Sequence, residues 1–180
     1  MTKIISFLGG PGTGKSVAAA NAYAQLKARG FSCELTREFA TDLVWNERVG
    51  DLKDQNYIFA EQNYRQQKLM GKVDFIITDT SLLLSIIYRR LYRNSYLADT
   101  CFEKLVFEVF NKYDNISFII KRTNSSFGSE GRIHNMEEAL VIDKMIYDLF
   151  REHRIPFLEI DRDNFFAELD LAISGQLSLL

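Results

Sequence analysis

The sequence predicts an α/β protein in which helices cover both faces of a five-stranded parallel sheet. Short apolar runs that suit buried strands alternate with longer segments of helical spacing along the 180 residues. Strands that alternate with helices pair in parallel, because each helix returns the chain to the same end of the sheet. Ligands of such sheets bind beyond the carboxyl ends of the strands. The residues directly after each strand are therefore the first candidates for function.

One or two helices separate each predicted strand from the next. Apolar runs predict strands at residues 3–8, 31–36, 73–79, 115–121 and 157–160. Helical spacing predicts helices at residues 15–29, 37–47, 52–70, 81–91, 97–112 and 164–178, and another that begins after Asn135. Gly30 is placed to end the first helix, and Asn135 with Glu138 is placed for a capping box. Trp45 and the many phenylalanines are expected in the core.

The composition favours a single cytoplasmic domain that spans residues 1–180. Apolar residues make up 47% and charged residues 26% of the chain, which is typical of a globular protein with one substantial core. The net charge of -2 and the pI near 5.8 argue against a dedicated duplex-DNA binder, whose affinity comes largely from excess Lys and Arg. No run approaches the ~20 apolar residues of a membrane span, and the first residues lack the pattern of a signal peptide.

The segment GGPGTGKS at residues 9–16 carries the most specific motif of the chain. It satisfies the pattern G-x-x-x-x-G-K-[ST] between a predicted strand and a predicted helix. The glycines let successive backbone N–H groups point at phosphate oxygens, and the helix N-terminus adds partial positive charge. Lys15 is expected to neutralise the β- and γ-phosphates, and the Ser16 hydroxyl to ligate magnesium. The predicted nucleotide-binding residues are Gly10, Pro11, Gly12, Thr13, Gly14, Lys15 and Ser16.

The third strand ends in FIITDTS and delivers Asp79 to the sheet edge that holds the phosphate loop. An acidic residue after an apolar strand is the Walker B arrangement, in which the carboxylate holds magnesium directly or through water. The alternative is that Asp79 caps the following helix, although Thr80 or Ser81 would serve there equally well. We expect Asp79 to share the metal site with Ser16 and to take part in catalysis.

The second strand is followed by Arg37 and Glu38 at the same edge. A carboxylate there would face the acceptor hydroxyl of a small substrate, and could remove its proton as the phosphoryl group moves. Arg37 could bind an anionic group of the substrate, or it could pair with Glu38. The competing explanation for Glu38 is an ordinary acidic residue in the first turn of a helix, which the helix dipole favours.

A polar loop at about residues 122–135 follows the fourth strand and carries Arg122 and Arg132. Cationic side chains on a loop opposite a phosphate loop can close over a transferring group and stabilise its charge. We expect a short lid in which Arg132 and Arg122 are catalytic. The Ser- and Gly-rich composition also fits a merely flexible connection.

The stretch IIYRRLYRNSY interleaves three arginines with three tyrosines at residues 86–96. Such side chains can bind a nucleic acid or a phosphorylated substrate. At helical spacing they more often form a solvated helix face whose arginine stems lie along apolar surface.

These motifs together resemble the ribosylnicotinamide kinase domain of the bifunctional bacterial NAD-biosynthesis regulators. The resemblance covers nearly the whole chain and is carried by the phosphate loop, REF at residues 37–39, DTS at 79–81, and the glycine and arginine of SEGR at 129–132. It implies a P-loop NTPase fold, a three-layer sandwich of the nucleoside/nucleotide-kinase type with strand order 2-3-1-4-5. It also implies ATP and magnesium as cosubstrates. Ser81 departs from the family, which has a second acid at that position.

The resemblance also implies a nucleoside-like acceptor, bound between the second and third strands and lined from the helix at 52–70. Gln62 is the substrate-binding candidate, because its amide could read the edge of a base; it could equally be a surface residue. Further candidates on the same helix are Tyr57, Phe59 and Asn63.

The sequence therefore predicts a small-molecule kinase that transfers the γ-phosphoryl group of ATP to a hydroxyl of a nucleoside, nucleotide or ribosyl compound. One alternative is a kinase for a hydroxyl of DNA or RNA, which the arginine–tyrosine stretch motivates and the acidic pI disfavours. Another is a nucleotide-binding regulatory ATPase, and the Asn-Lys-x-Asp motif of GTPases is not present. A small-molecule acceptor is the expected partner; a membrane is not expected, and a homodimer is left open.

Overall fold

The computed structural model describes residues 2–92, 99–122 and 135–161. Within these ranges five strands form one sheet in the order β2-β3-β1-β4-β5, and every neighbouring pair is parallel. The strands are β1 Lys3–Leu8, β2 Cys33–Thr36, β3 Phe75–Thr78, β4 Asp114–Lys121 and β5 Leu158–Asp161. The parallel sheet that alternation predicted is confirmed, and so is the strand order that the family resemblance implied.

Six helices connect the strands in the described ranges. They are α1 Lys15–Ala28, α2 Phe39–Trp45, α3 Gln55–Gln67, α4 Leu84–Tyr92, α5 Asp99–Phe110 and α6 Met136–Glu152. A 3-10 turn at Val49–Lys53 precedes α3, which therefore begins later than the predicted residue 52. The reason is Asp54, whose carboxylate accepts hydrogen bonds from two backbone N–H groups of the first turn and caps the helix. The predicted helix at 164–178 lies outside the described residues.

Helices pack against both faces of the sheet, so that β1 at its centre is buried on both sides. Ile5 and Phe7 pack with Leu26 and the alanines of α1 on one face. Leu8 belongs to the second cluster, which α3, α4, α5 and α6 complete on the other face. The alternation follows from the two-residue repeat of a strand, and the Phe7 ring stacks on Phe118 of β4 at 5.3 Å.

The register of the sheet brings the strand ends together. Ser6 of β1 and Thr36 of β2 both lie beside Thr78 of β3. The loop after β1, the start of α2 and the residue after β3 therefore meet at one edge. This is the edge at which parallel sheets bind ligands.

Local signals set the start of α6 and the end of α1 as predicted, whereas the prediction for Trp45 is corrected. Asn135 and Glu138 form the capping box, and Gly30 follows α1 with a positive φ of 86°. Trp45 is 72% exposed, so the expectation that it lies in the core is wrong. The buried face of α2 is formed by Phe39 and Leu43, and Trp45 lies two positions further on, which is the opposite side of a helix.

No helix among the described residues is both long and apolar enough to cross a membrane.

Truncation of Leu26 tests the packing of α1 on the sheet. Leu26 is fully buried, so Leu26→Ala is expected to lower the free energy of unfolding by about 2–5 kcal/mol, measured by chemical denaturation. The matched change Leu140→Ala removes an exposed leucine of α6 and is expected to cost about 0.5 kcal/mol or less. Equal losses for the two variants would contradict the placement of α1.

Candidate functional site

The loop between β1 and α1 is a compact turn that is closed by its own side chains. Gly14 caps α1 with a φ of 97°, a conformation that residues with a Cβ rarely adopt. The buried Thr13 donates its hydroxyl proton to the Gly10 carbonyl at 3.0 Å. The Lys15 ammonium donates to the same carbonyl at 3.2 Å. Lys15 is thus held over the loop, where the predicted phosphates would lie.

The N-terminus of α1 is suited to an anion. No described side chain caps it, and its first turn has no acidic residue. The first backbone N–H groups of a helix have no partner within the helix and carry partial positive charge. This loop therefore has the geometry that the phosphate-binding motif predicts.

Asp79 connects the elements that follow β1 and β2. Its carboxylate is 6% exposed and lies directly after β3. One oxygen accepts the Ser16 hydroxyl proton at 2.6 Å, and the other accepts the Glu38 backbone N–H at 2.8 Å. One carboxylate therefore joins the phosphate loop to the start of α2.

The donor set at this point fits magnesium. Ser16 Oγ and Asp79 Oδ2 are 2.6 Å apart and are both hard oxygen ligands. In the described part of the chain there is no group of three or more His, Cys, Asp or Glu residues placed to hold a metal ion. Magnesium at nucleotide sites commonly takes one or two protein oxygens, with phosphate and water oxygens as the remaining ligands. Ser16 and Asp79 are the two residues that could hold such an ion here.

Glu38 lies at the start of α2 with its side chain near Lys15 and Asp79. Burial raises the pKa of the Glu38 carboxyl to about 7, against the opposing effect of the Lys15 ammonium and with a smaller contribution from the Asp79 charge. A group with a pKa near neutrality can take up and release a proton under ordinary conditions. The position predicted for a proton acceptor therefore holds a carboxyl with suitable acidity.

A buried ion pair supports the phosphate loop through two of its backbone groups. The Arg122 guanidinium, directly after β4, donates to Asp143 of α6 at 2.6 Å, and both side chains are largely buried. Arg122 also donates to the Pro11 carbonyl at 2.8 Å, and Asp143 accepts the Gly10 backbone N–H at 2.5 Å. The pair thus contacts the loop through two backbone groups. Arg122 is thus engaged with the loop and with α6, and the catalytic role that the lid hypothesis gave it stays a prediction.

Asp143 is a site residue that sequence reasoning missed. It lies in the middle of α6, and nothing in the local sequence distinguishes it from Asp148, which faces solvent on the same helix. The contact is possible because residue 10 is glycine: a Cβ there would lie 2.6 Å from the Ala139 carbonyl oxygen. Gly10 therefore contacts α6 with the N–H group that the sequence assigned to the nucleotide. The predicted catalytic Arg132 lies outside the described residues.

A cavity of about 330 Å³ extends from the phosphate loop into the space between α2, α3 and α4. Lys15 and Ser16 form its phosphate end, and Glu38 lies where the loop meets the helical walls. Those walls combine apolar residues with the rings of Tyr88 and Tyr92 from α4. This size and lining are typical of a small-molecule site.

The substrate-binding candidates of the sequence differ in where they lie relative to the cavity. Gln62 lines the cavity, is 3% exposed, and accepts the Phe39 backbone N–H at 2.9 Å. The alternative of a surface glutamine is excluded by this burial. Arg37 has an exposed side chain and is not among the described residues that line the cavity, so an anion-binding role for it stays a prediction. The other α3 candidates, Tyr57, Phe59 and Asn63, pack within the protein or accept from a neighbouring tyrosine.

The arginines of the predicted basic stretch are engaged with other residues where the structure describes them. Arg89 is buried, lies 4.3 Å from the centre of the Phe102 ring and donates to Asn56. Arg90 makes two hydrogen bonds to the Glu103 carboxylate. These contacts weaken the case for a nucleic-acid surface at this helix. Residues 93–96, the remainder of the stretch, lie outside the described residues.

Comparison with known proteins identifies the family. A sequence profile of the family described as "AAA domain" matches residues 4–167, which is most of the chain. The chain belongs to this AAA domain family. No curated protein matches it in sequence. The family, the phosphate loop and the strand order together make this AAA domain a P-loop nucleotide-binding domain.

Solved structures match this AAA domain over almost its whole length. One is NadR protein in complex with NR, with a TM-score of 0.71, 14% identity, and coverage of 94% of this chain and 50% of that one. Another is NadR protein in complex with NAD and AMP-PNP, with a TM-score of 0.68, 12% identity, and coverage of 94% and 48%. The chain spans about half the length of these proteins. At the level of fold, the resemblance inferred from the sequence is confirmed.

The acidity of Glu38 predicts a pH dependence of stability in the metal-free, nucleotide-free protein. Folding raises the pKa of this carboxyl from 4.5 to about 7, so the protonated carboxyl stabilises the folded protein. This stabilising contribution is lost as pH rises through 7. The Glu38→Gln variant does not show this loss of stability, because its side chain does not titrate. From about pH 5 to about pH 8, its free energy of unfolding is expected to rise relative to the parent by on the order of 2–3 kcal/mol.

Denaturation in a chelator at several pH values measures this difference. Glu108→Gln, which changes an exposed carboxylate on α5, is the matched control and should follow the parent at each pH. If the Glu38→Gln curve also runs parallel to the parent, Glu38 has no raised pKa in the folded protein.

The ion pair beneath the loop predicts a large cost for removing Asp143. Asp143→Ala takes the carboxylate from a buried guanidinium and from the Gly10 N–H, and is expected to lower the free energy of unfolding by about 3–5 kcal/mol. Asp148→Ala in the same helix breaks only an exposed pair with Lys144 and should cost about 0.5 kcal/mol. Denaturation of the two variants makes the comparison, and similar small losses would show that the buried pair does not support the loop.

Proposed function

We propose that this AAA domain is a small-molecule kinase, which transfers the γ-phosphoryl group of ATP to a hydroxyl of a nucleoside, nucleotide or ribosyl compound. The observation that carries the proposal is the position of Glu38. It lines one cavity that contains both the phosphate loop and a chamber of apolar and polar side chains from α2, α3 and α4. A nucleotide-binding domain that only switches or hydrolyses needs no such chamber beyond its γ-phosphate end.

At the phosphate end, the chain would hold and neutralise the nucleotide. The loop N–H groups and the α1 N-terminus bind phosphate oxygens, and Lys15 moves from the Gly10 carbonyl to the β- and γ-phosphates. Ser16 and Asp79 are the residues proposed to hold magnesium, which when bound neutralises charge on the phosphates. Asp79 also fixes the start of α2 through the Glu38 N–H.

At the acceptor end, the Glu38 carboxylate would accept the proton of the attacking hydroxyl. With a pKa of about 7, part of the Glu38 carboxyl is ionised near neutral pH. The ionised form is also a stronger base than a carboxylate of ordinary pKa. Closure of the cavity by Arg132, and binding of an anionic substrate group by Arg37, remain parts of the proposal. Arg122 contributes by holding the Pro11 carbonyl and the Asp143 carboxylate in place.

The fold neighbours support a nucleoside acceptor. One NadR structure contains NR, and the other contains NAD with AMP-PNP. The match covers only half of those proteins at 14% and 12% identity. The acceptor of this chain is therefore set by its own cavity.

The test is ADP release by purified protein with a panel of nucleosides, nucleoside monophosphates and ribosyl compounds, each compared with the rate without acceptor. At least one compound is expected to raise turnover well above that rate. Glu38→Gln is expected to lower kcat by about 10²–10⁴-fold for that acceptor, the usual contribution of a positioned general base. Its nucleotide affinity should change little, since the phosphate loop is intact.

Glu108→Gln is again the control and should keep the activity of the parent. Acceptor-independent ADP release that Glu38→Gln leaves unchanged would indicate a regulatory ATPase. Transfer to oligonucleotides but to no small molecule would indicate the polynucleotide alternative. Either result would overturn the proposal.

A further inference from the structure

Two side chains of α3 hold the backbone on either side of Glu38. Gln62 accepts the Phe39 N–H at 2.9 Å, and Arg65 donates to the Arg37 carbonyl at 3.3 Å. Gln62 and Arg65 are three positions apart, so they lie on the same side of their helix. Together they attach the residues before and after Glu38 to α3.

The Arg65 guanidinium also spans the first turn of α2. It pairs with the Asp42 carboxylate, and its central carbon lies 4.8 Å from the centre of the Phe39 ring. Asp42 and Phe39 are three positions apart and are therefore neighbours on the helix surface. A planar guanidinium suits this arrangement, because its separate N–H groups can bind a carbonyl and a carboxylate while its face lies on a ring.

The short helix α2 depends on such contacts, because its own sequence stabilises it weakly. It has seven residues, fewer than the ~12–15 that a helix needs to be even marginally stable alone in water. Glu38 occupies its N-cap position, but the Glu38 side chain makes no capping hydrogen bond. The N–H groups of Glu38 and Phe39 are bonded instead by Asp79 and Gln62. The Glu38 carboxyl is thus left to line the cavity.

The polar atoms of Gln62 are directed at the protein, although the residue belongs to the cavity wall. Its oxygen is bonded to the Phe39 N–H, and its Nε2 is fully buried. The contact that Gln62 makes is therefore with the backbone beside Glu38. A role in placing Glu38 follows more directly from this contact than a role in binding the acceptor.

We infer that Gln62 and Arg65 are positioning residues, which hold the Glu38 carboxyl at the place in the cavity where the acceptor hydroxyl would react. The inference rests on the proposed function and adds two residues to its machinery, neither of which touches the reacting atoms. A misplacement of about 1 Å can lower the rate of a positioned step by about 10²-fold. Loss of either contact should therefore lower kcat through Glu38, while the nucleotide and the acceptor still bind.

The test is a double-mutant cycle with Glu38→Gln in the assay of acceptor-dependent ADP release. Arg65→Met removes the charge and the donors but keeps an apolar stem, and Gln62→Leu removes the acceptor oxygen at similar size. Each is expected to lower kcat by about 10- to 100-fold, with the KM of the acceptor changed by less than about twofold. In the Glu38→Gln protein, which has already lost the base, either change should lower kcat by less than about twofold.

Two matched variants control for the loss of an arginine or of a buried glutamine. Arg48 also pairs with an aspartate and lies over the ring of Tyr57, but in the described part of the chain it makes no hydrogen bond or ion pair with residues 37–39. Gln66 is as buried as Gln62 on the same helix, and it likewise makes no hydrogen bond to residues 37–39 within the described ranges. Arg48→Met and Gln66→Leu should both keep the kcat of the parent.

Hydrogen exchange at Phe39 supplies a readout that needs no activity. Gln62→Leu leaves the Phe39 N–H without its acceptor, and its exchange is expected to become about tenfold faster or more, whereas the amides of β1 exchange as in the parent. Unchanged exchange at Phe39 would show that Gln62 does not hold this turn, and it would overturn the inference even in a protein without turnover.

The outcomes separate this inference from the proposed function. Equal losses of kcat in the parent and in Glu38→Gln would mean that Gln62 and Arg65 act on the fold and not through Glu38, which overturns the inference and keeps the kinase. A raised acceptor KM with unchanged kcat in Gln62→Leu would make Gln62 a substrate contact and overturn it as well. A parent protein without acceptor-dependent ADP release would remove the proposed function and the inference with it.

Discussion

The hydrogen bonds of the buried Asp79 carboxylate hold the candidate site together. Its two oxygens bind the Ser16 hydroxyl and the Glu38 N–H, so one side chain after β3 fixes the loop after β1 and the helix after β2. A buried carboxylate is stable only when its oxygens are paired, and here the pairing groups are themselves functional candidates. The distances among the proposed metal ligands and the proposed base are therefore set by one residue.

A second, independent support acts on the other side of the phosphate loop. Arg122 and Asp143 contact the carbonyl of Pro11 and the N–H of Gly10, so the loop is attached to β4 and α6 as well as to β3. Charge explains why an acidic residue is tolerated close to a phosphate site: the guanidinium neutralises it, and both are withdrawn from solvent. The loop is thus prearranged, which reduces the entropy lost when an anion binds.

The chamber beyond Glu38 differs in character from the phosphate end. Its walls mix apolar side chains with the amides of two glutamines and with hydroxyl groups from α2, from α4 and from the residues after Asp79. The phosphate end is formed by the loop and the start of α1, whereas the chamber is formed mainly by residues of α2, α3 and α4. Under the proposed function, nucleotide binding and acceptor choice are therefore carried by separate elements of the fold.

Sequence by itself determined the features that depend on local chemistry. The Gly9–Ser16 motif, the alternation of strands and helices, the Asn135–Glu138 capping box and the stop at Gly30 all depend on nearest neighbours along the chain, which is why they could be predicted. Asp79 could be placed because a strand end is a defined point of a parallel sheet. The roles of these residues in catalysis remain predictions.

Only the tertiary structure decided how distant residues meet. Asp143 is joined to Gly10 across 133 positions, and a mid-helix aspartate carries no local sign of such a contact. The exposure of Trp45 depends on which face of α2 packs on the core, and the burial of Gln62 depends on its contact with the Phe39 backbone N–H. Short-range propensity fixes elements, whereas burial and hydrogen-bond satisfaction are properties of the assembled fold, and the details of this site are of the second kind.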